Sequence, residues 1–144
     1  TRYPPQGVRG YAGAPRASNY GRVKDYAHLN ANELCLLLQV ETLQGLENLE
    51  AIANVDGVDG VFIGPGDLSA ALGHLGNPKH PEVLKVIDDA IARIKACGKA
   101  PGILTGDEAL AKHYVAQGCL FVAVGADQNV LRDSATALAQ RFKS

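Results

Sequence analysis

Two acidic residues each follow an apolar run that has the composition of a buried β-strand. Glu41 comes directly after the run from Cys35 to Val40, and Asp67 follows residues 61–63 and a Gly-Pro-Gly turn. In parallel α/β proteins the carboxyl ends of neighbouring strands form one face, and ligands bind there. Two carboxylates on that face provide oxygen ligands for a hard divalent cation. The pattern therefore predicts metal-assisted chemistry on a small anionic substrate.

The donor types also indicate which metal would bind. An all-oxygen site suits Mg²⁺ or Mn²⁺, whereas Zn²⁺ would be expected to recruit His or Cys. Gln39 lies two residues before Glu41, so the alternation of a strand places both side chains on the same side. A competing interpretation stays open for each residue. In that interpretation each acid serves only as the cap of the helix that follows it, and Gln39 is a buried amide bonded to its neighbours.

The four histidines give no comparable pattern, since none share metal-ligand spacing on one helix face. His74 and His80 flank a Gly-Asn-Pro loop, and we expect them on the surface, with contact to substrate or a neighbouring subunit as the alternative. His28 and His113 are typical of ordinary solvent-facing positions. None of the four is predicted to act as a general base.

Strand and helix signals that would position these residues alternate four times after Asn32. The predicted strands cover residues 34–40, 60–63, 102–104 and 120–124. Helices are expected after Thr42, from Pro81, from Asp107 and over residues 128–142, with a long loop before Pro81. Such alternation predicts βαβ units, a parallel sheet and right-handed crossovers. We therefore expect one α/β domain over residues 1–144.

The first 31 residues differ from the rest of that domain. Prolines and glycines are frequent there and favour an irregular loop segment, followed by four βα units over residues 32–144. Arg2, Arg9, Arg16 and Arg22 give the segment a basic character. These arginines either contact anionic groups of a substrate or solvate a surface loop.

Composition excludes several classes of function. With 14 Lys and Arg against 15 Asp and Glu, the formal net charge of -1 gives no reason to expect a nucleic-acid or membrane partner. No run is long and apolar enough to span a bilayer, and no signal segment is expected at the start. Three cysteines without a paired spacing predict buried, reduced thiols in a cytoplasmic protein.

Several ordered motifs together resemble the HpcH/HpaI aldolase family over essentially the whole chain. They are the segments at residues 2–10, 38–41, 57–69, 73–78, 80–83, 98–103 and 121–125. The resemblance implies a (β/α)₈ TIM barrel with class II, metal-dependent pyruvate aldolase activity. It is strongest to members that cleave 2-keto-3-deoxy sugar acids or 4-hydroxy-2-oxo acids to pyruvate, or a substituted pyruvate, and an aldehyde.

The same resemblance assigns roles to individual residues. It implies that Glu41 and Asp67 ligate Mg²⁺ or Mn²⁺, that Gln39 contacts the keto acid substrate, and that the backbone of Gly66 binds the pyruvate carboxylate. The family usually has Ala or Ser at that last position. Arg9 and Arg16 match a loop near the sugar-acid end of the family's site, and family members are homo-oligomers.

The largest departure from the family is length. A complete barrel takes about 250 residues, and this chain of 144 resembles only the second half. The family's base, a histidine held by an aspartate, and its oxyanion-stabilising arginine have no matching positions, so no catalytic residue is assigned here. We therefore expect the C-terminal half of a TIM barrel, inactive alone.

Two alternatives remain open at this point. One is a citrate-lyase-like enzyme of the same superfamily that cleaves CoA thioesters. The other is a non-catalytic half-barrel that functions only in assembly. An apolar stripe on the last helix (Leu131, Ala135, Leu138 and Phe142) bears on this, because it would be core in a complete barrel but exposed in an incomplete one.

Overall fold

The computed structural model describes residues 1–143, without the side chains at positions 30 and 31. It contains two compact units. The first covers Thr1–Cys35, and the second runs from Leu36 to the end of the described chain.

The N-terminal unit contains a 3₁₀ turn at Arg16–Ser18 and one helix, α1, at Tyr26–Glu33. Ser18 is buried and orders the turn, since its Oγ donates to the Pro15 carbonyl at 2.8 Å and accepts from the Gly21 amide at 3.0 Å. The sequence does not predict α1. Its start carries little local signal, because Asp25 at the N-cap is left-handed (φ 58°) and makes no capping hydrogen bond.

The second unit is built on four parallel strands in the order β1-β2-β3-β4. They are β1 Leu37–Val40, β2 Gly60–Ile63, β3 Ala100–Leu104 and β4 Phe121–Ala123. The predicted parallel α/β arrangement is confirmed. Strand β1 begins later than predicted, because the Leu36 amide donates to Asp59 Oδ2 at 2.6 Å before pairing starts.

Six helices connect and follow the strands. They are α2 Leu43–Glu47, α3 Leu49–Ala53, α4 Pro65–Ala71, α5 Pro81–Ala96, α6 Glu108–Gln117 and α7 Asp127–Gln140. Thr42 caps α2 as predicted, accepting from the Gly45 amide at 3.0 Å, but the expected single helix divides at Asn48. The predicted loop before Pro81 was partly wrong, because Pro65, two residues after the end of β2, is the first residue of a helix.

One face of the sheet carries the core. Val61, Ile63 and Ile103 are fully buried, and a cluster on α5 is buried with them (Val83, Ile87, Ala90, Ile91 and Ile94). The intervening strand residues lie on the opposite face, where Gln39, Phe62, Gly102 and Phe121 form one registered row. Gln39 and Phe121 at the two ends of this row are exposed. The second face of the sheet is therefore open in this unit.

Helix α7 has no buried residue in its described length. The apolar stripe predicted from the sequence is exposed, with Leu131 at 73%, Leu138 at 54% and Phe142 at 83%. This is the arrangement that the sequence analysis expected for an incomplete barrel. Among the described helices, none is long and apolar enough to cross a membrane.

The three cysteines are free thiols, as expected, but they are not uniformly buried. Cys119 is buried, and burial raises the pKa of its thiol. Cys97 is half-buried, whereas Cys35 is exposed at the end of the N-terminal unit. The expectation of burial was wrong for Cys35, because β1 starts two residues after it and leaves it outside the sheet.

Candidate functional site

The candidate site lies where β1 and β2 end. Val40 pairs with Ile63, so the residues that follow, Glu41 and Gly64, are also neighbours. The Gly64 amide donates to the Val40 carbonyl at 3.1 Å and continues the pairing beyond the last strand residues. The carboxyl edge of the sheet therefore brings Glu41 beside the start of α4, as the order of the strands predicts.

The absence of a side chain at Gly64 makes room for two others. An ideal Cβ built there would stand 2.8 Å from Gln39 Nε2 and 2.9 Å from Glu41 Cβ, and closer still to Glu41 Oε2. Real Cβ atoms do not approach other atoms so closely. The side chains of Gln39 and Glu41 thus both lie over Gly64, on one side of the sheet.

Gln39 and Glu41 are also bonded to each other. Gln39 Nε2 donates to Glu41 Oε2 at 2.5 Å, with Glu41 half-buried and Gln39 exposed. A carboxylate has two oxygens, so Gln39 can orient one while the other accepts a ligand. Thr42, not Glu41, provides the capping oxygen of α2. The alternative role of Glu41 as a helix cap is therefore not what the structure shows.

Asp67 lies at the same edge of the sheet, in the helix that follows the neighbouring strand β2. Helix α4 begins at Pro65, with only Gly64 between it and the end of β2, and Asp67 is an exposed acid in its first turn. Gly66 precedes it, exposed, and a Cβ there would meet nothing within 4 Å. First-turn amides of a helix have no partner within the helix and remain available to a ligand.

The two predicted arginines belong to the N-terminal unit. The Arg9 guanidinium lies over the Tyr3 ring at 4.8 Å, and its Nη1 is buried without a hydrogen-bond partner among the described residues. Arg16 opens the 3₁₀ turn and is exposed. Their predicted contact with an anionic substrate stays a prediction.

A cavity that the sequence analysis missed adjoins Gly66. It measures about 520 Å³, and its lining includes Pro65, Thr105, Leu110 and Tyr114. Burial raises the pKa of Tyr114 to about 12, so its phenol stays protonated in neutral solution. Neither local pattern nor spacing marks this cavity, because its walls come from segments far apart in the chain.

An ion pair stands on the lining of this cavity. Lys79 Nζ donates to Asp107 Oδ2 at 2.5 Å, and Asp107 Oδ1 accepts from the Leu110 amide at 3.0 Å as the cap of α6. The hydrogen bond from Lys79 is the main reason that the pKa of Asp107 is below its ordinary range. The sequence predicts Asp107 at the start of a helix but predicts no role for Lys79.

Comparisons with known proteins identify relatives over nearly the whole chain. A family model described as HpcH/HpaI aldolase/citrate lyase matches residues 1–134. A hydroxypyruvate/pyruvate aldolase from Pseudomonas aeruginosa is 59% identical over 143 residues, which are 99% of this chain and 53% of that protein. A 4-hydroxy-2-oxo-heptane-1,7-dioate aldolase from Klebsiella pneumoniae is 57% identical over 143 residues, 99% of this chain and 54% of that protein.

Solved structures agree with this assignment of relatives. An HpcH/HpaI aldolase/citrate lyase family protein from Burkholderia cenocepacia has a TM-score of 0.87 at 38% identity. The match covers 99% of this chain and 58% of that structure. The chain spans about half the length of the curated relatives that it matches.

Proposed function

This chain belongs to the HpcH/HpaI aldolase/citrate lyase family, and on that premise we propose that it contributes the metal-binding half of a pyruvate aldolase barrel. The proposed reaction is carbon–carbon cleavage of a 4-hydroxy-2-oxo acid or a 2-keto-3-deoxy sugar acid. The products are pyruvate, or a substituted pyruvate, and an aldehyde. Relatives at 55–59% identity are named aldolases, which supports this reaction class.

One observation carries the proposal: Glu41 and Gln39 lie together over Gly64, one strand away from Asp67. The donors are oxygens, and a glycine keeps the space around the Glu41 carboxylate clear. These features fit a hard cation such as Mg²⁺ or Mn²⁺ better than Zn²⁺. We propose Glu41 and Asp67 as the ligands.

A divalent cation bound there would stabilise the negative charge of the enolate that forms when the bond between C3 and C4 breaks. The chain's own residues would prepare the site for that charge. Gln39 fixes one oxygen of Glu41 through its amide N–H and sets the direction of the other. The Gly66 amide would donate to the substrate carboxylate, and its open surroundings leave room for that group.

The chain contributes no group to which we assign proton transfer. Cleavage requires removal of the proton from the 4-hydroxyl group and later protonation of the enolate carbon. In the proposed enzyme these steps belong to the part of the relatives that this chain does not match. Arg9 and Arg16 are proposed to bind the distal, anionic end of the substrate.

The wider assignment follows from the same premise. We propose a homo-oligomeric, cytoplasmic enzyme whose partner is a small keto acid, with no nucleic-acid or membrane partner. A CoA-thioester lyase is less well supported. A citrate lyase β subunit from M. tuberculosis has only a TM-score of 0.53 at 20% identity, which is a likeness of fold alone.

A complementation assay tests the proposal. The segment of the Pseudomonas relative that this chain does not match is fused to this chain, and 4-hydroxy-2-oxo acid cleavage is followed by coupled pyruvate reduction with Mg²⁺ or Mn²⁺. We expect pyruvate release from the fusion, none from the 144-residue chain alone, and loss of release with Glu41→Gln. Unchanged release with Glu41→Gln or Asp67→Asn would contradict the ligand assignment, and a folded, inactive fusion would favour a non-catalytic role.

A further inference from the structure

A second cluster of metal-ligating side chains lies on the loop between α4 and α5 and in the first turn of α5. His74, His80 and Glu82 each place one ligand atom within 4.8 Å of the others. His74 Nε2 is 2.9 Å from Glu82 Oε2, and the rings of His74 and His80 stack with centroids 3.6 Å apart. Both histidines are half-buried, and their predicted contact with substrate or a neighbouring subunit stays a prediction.

From this geometry we infer that His74, His80 and Glu82 form a binding site for a borderline transition-metal ion, with Zn²⁺ as its natural occupant. This site uses none of the residues proposed to bind the cation at Glu41 and Asp67. Two imidazoles and one carboxylate are ligands that Zn²⁺ favours, whereas Mg²⁺ and Mn²⁺ prefer oxygens alone. A fourth position would be filled by water.

The backbone holds the loop in a fixed path before any ion arrives. The His74 amide donates to the Ser69 carbonyl at 2.7 Å, which ties the loop to α4. The His74 carbonyl accepts from Asn77, and the Asn77 carbonyl accepts from His80, at 2.9 and 3.1 Å. Binding therefore has to order side chains but not the chain itself, which reduces its entropic cost.

Glu82 is already arranged as a ligand. Its carboxylate oxygen Oε2 lies 2.9 Å from His74 Nε2, so the two ligand atoms already face each other. A tetrahedral ion with bonds of about 2.1 Å separates its ligand atoms by roughly 3.4 Å. The His74–Glu82 pair at 2.9 Å therefore has to open slightly, while separations of up to 4.8 Å within the cluster have to shorten.

The stacked rings of His74 and His80 have to separate before their nitrogens can bind one ion. Stacked rings direct their nitrogen lone pairs side by side, and rotation about the Cβ–Cγ bonds lets those lone pairs converge. His80 Nδ1 now accepts from the Glu82 amide at 3.3 Å as the cap of α5. That bond is long, so its loss is a small cost. The bound ion would fasten the loop to the first turn of α5.

Zinc affinity measured by competition with a chromophoric chelator tests the inference. Every sample carries Cys35→Ser, because an exposed thiol is itself a zinc ligand. We expect one Zn²⁺ per chain in this background and at least a tenfold loss of affinity in His74→Gln and in Glu82→Gln. His28→Gln, an exposed histidine outside the cluster, is the matched control and should bind as the background does.

Two further measurements distinguish loss of the metal ligands from loss of the fold. Circular dichroism of the metal-free variants establishes that they are folded, and Glu82→Gln preserves side-chain size if His74→Gln unfolds. Co²⁺ in place of Zn²⁺ should give visible ligand-field absorption that the folded variants lose. The inference is wrong if the background binds no zinc, or if Glu82→Gln binds it unchanged. Loss of zinc binding in Glu41→Gln would also overturn it, because that variant affects only the proposed oxygen site.

Discussion

Replacement of Gly64 by alanine should weaken metal binding at the candidate site without changing any of the proposed ligands. The backbone at Gly64 has φ -95° and ψ 93°, a conformation that any residue adopts, so the penalty is steric. A Cβ would stand 2.8 Å from Gln39 Nε2 and 2.9 Å from Glu41 Cβ. Carbon contacts are optimal at about 3.5–4.0 Å, so these groups must retreat by roughly 0.6–1.2 Å.

The size of the effect follows from that displacement. The amide of Gln39 is the end of a flexible side chain and can move, but Glu41 Cβ is tied to the strand. Overpacking of this kind costs about 1–3 kcal/mol of unfolding free energy. Misplacement of a binding group by about 1 Å costs on the order of a hundredfold where geometry matters. We expect Mn²⁺ affinity to fall at least tenfold in Gly64→Ala.

Gly66→Ala is the matched control, because a Cβ at position 66 meets nothing within 4 Å. Since Gly66 lies inside α4, alanine there should stabilise the fold by about 0.5–1 kcal/mol and leave Mn²⁺ affinity near wild type. Free Mn²⁺ is followed by electron paramagnetic resonance, and unfolding by urea titration. A Mn²⁺ affinity of Gly64→Ala within twofold of wild type would show that Gly64 does not keep the metal site clear.

Two further predictions concern acid stability and thiol reactivity. The hydrogen bond from Arg93 lowers the pKa of Glu50 from 4.5 to about 2, so its stabilisation is complete above pH 4.5 and is lost as the pH falls towards 2. Glu50→Gln should flatten the fall in unfolding free energy over that range, measured by urea titration, while Glu47→Gln on α2 should leave the fall unchanged. With a thiol reagent, Cys35 should react at the rate of a free thiol, whereas Cys119 should react only on unfolding, because Cys119 is buried and the pKa of its thiol is raised. Mass spectrometry measures the modification rate of each cysteine, and equal rates for the two would contradict the described burial.

The parts of the fold that the sequence predicted well are those encoded locally. Strand β2 was predicted at its observed bounds, because Gly60 and Gly64 enclose a short run of β-branched and aromatic residues. The caps at Thr42 and Asp107 were also found, since a capping side chain bonds to an amide three residues away. Glu41 and Asp67 were placed at one edge because parallel strands all end at the same edge.

What was missed depends on contacts between distant segments or on residues with two possible roles. Pro65 can break a strand or start a helix; the sequence favoured the first role, whereas the structure shows the second. Lys79 meets Asp107 across 28 positions, which no spacing rule anticipates. The stacking of His74 on His80 requires a specific loop path through left-handed Gly73 and Gly76. These features arise from tertiary structure, so pattern analysis could not supply them.

The site at the carboxyl edge is most directly tested by Mn²⁺ binding to the 144-residue chain itself, measured by electron paramagnetic resonance. We expect one Mn²⁺ per chain, bound in wild type and in Glu82→Gln, with binding lost in both Glu41→Gln and Asp67→Asn. Wild-type affinity in either of the last two variants, or no binding by the folded wild-type chain, would contradict this expectation.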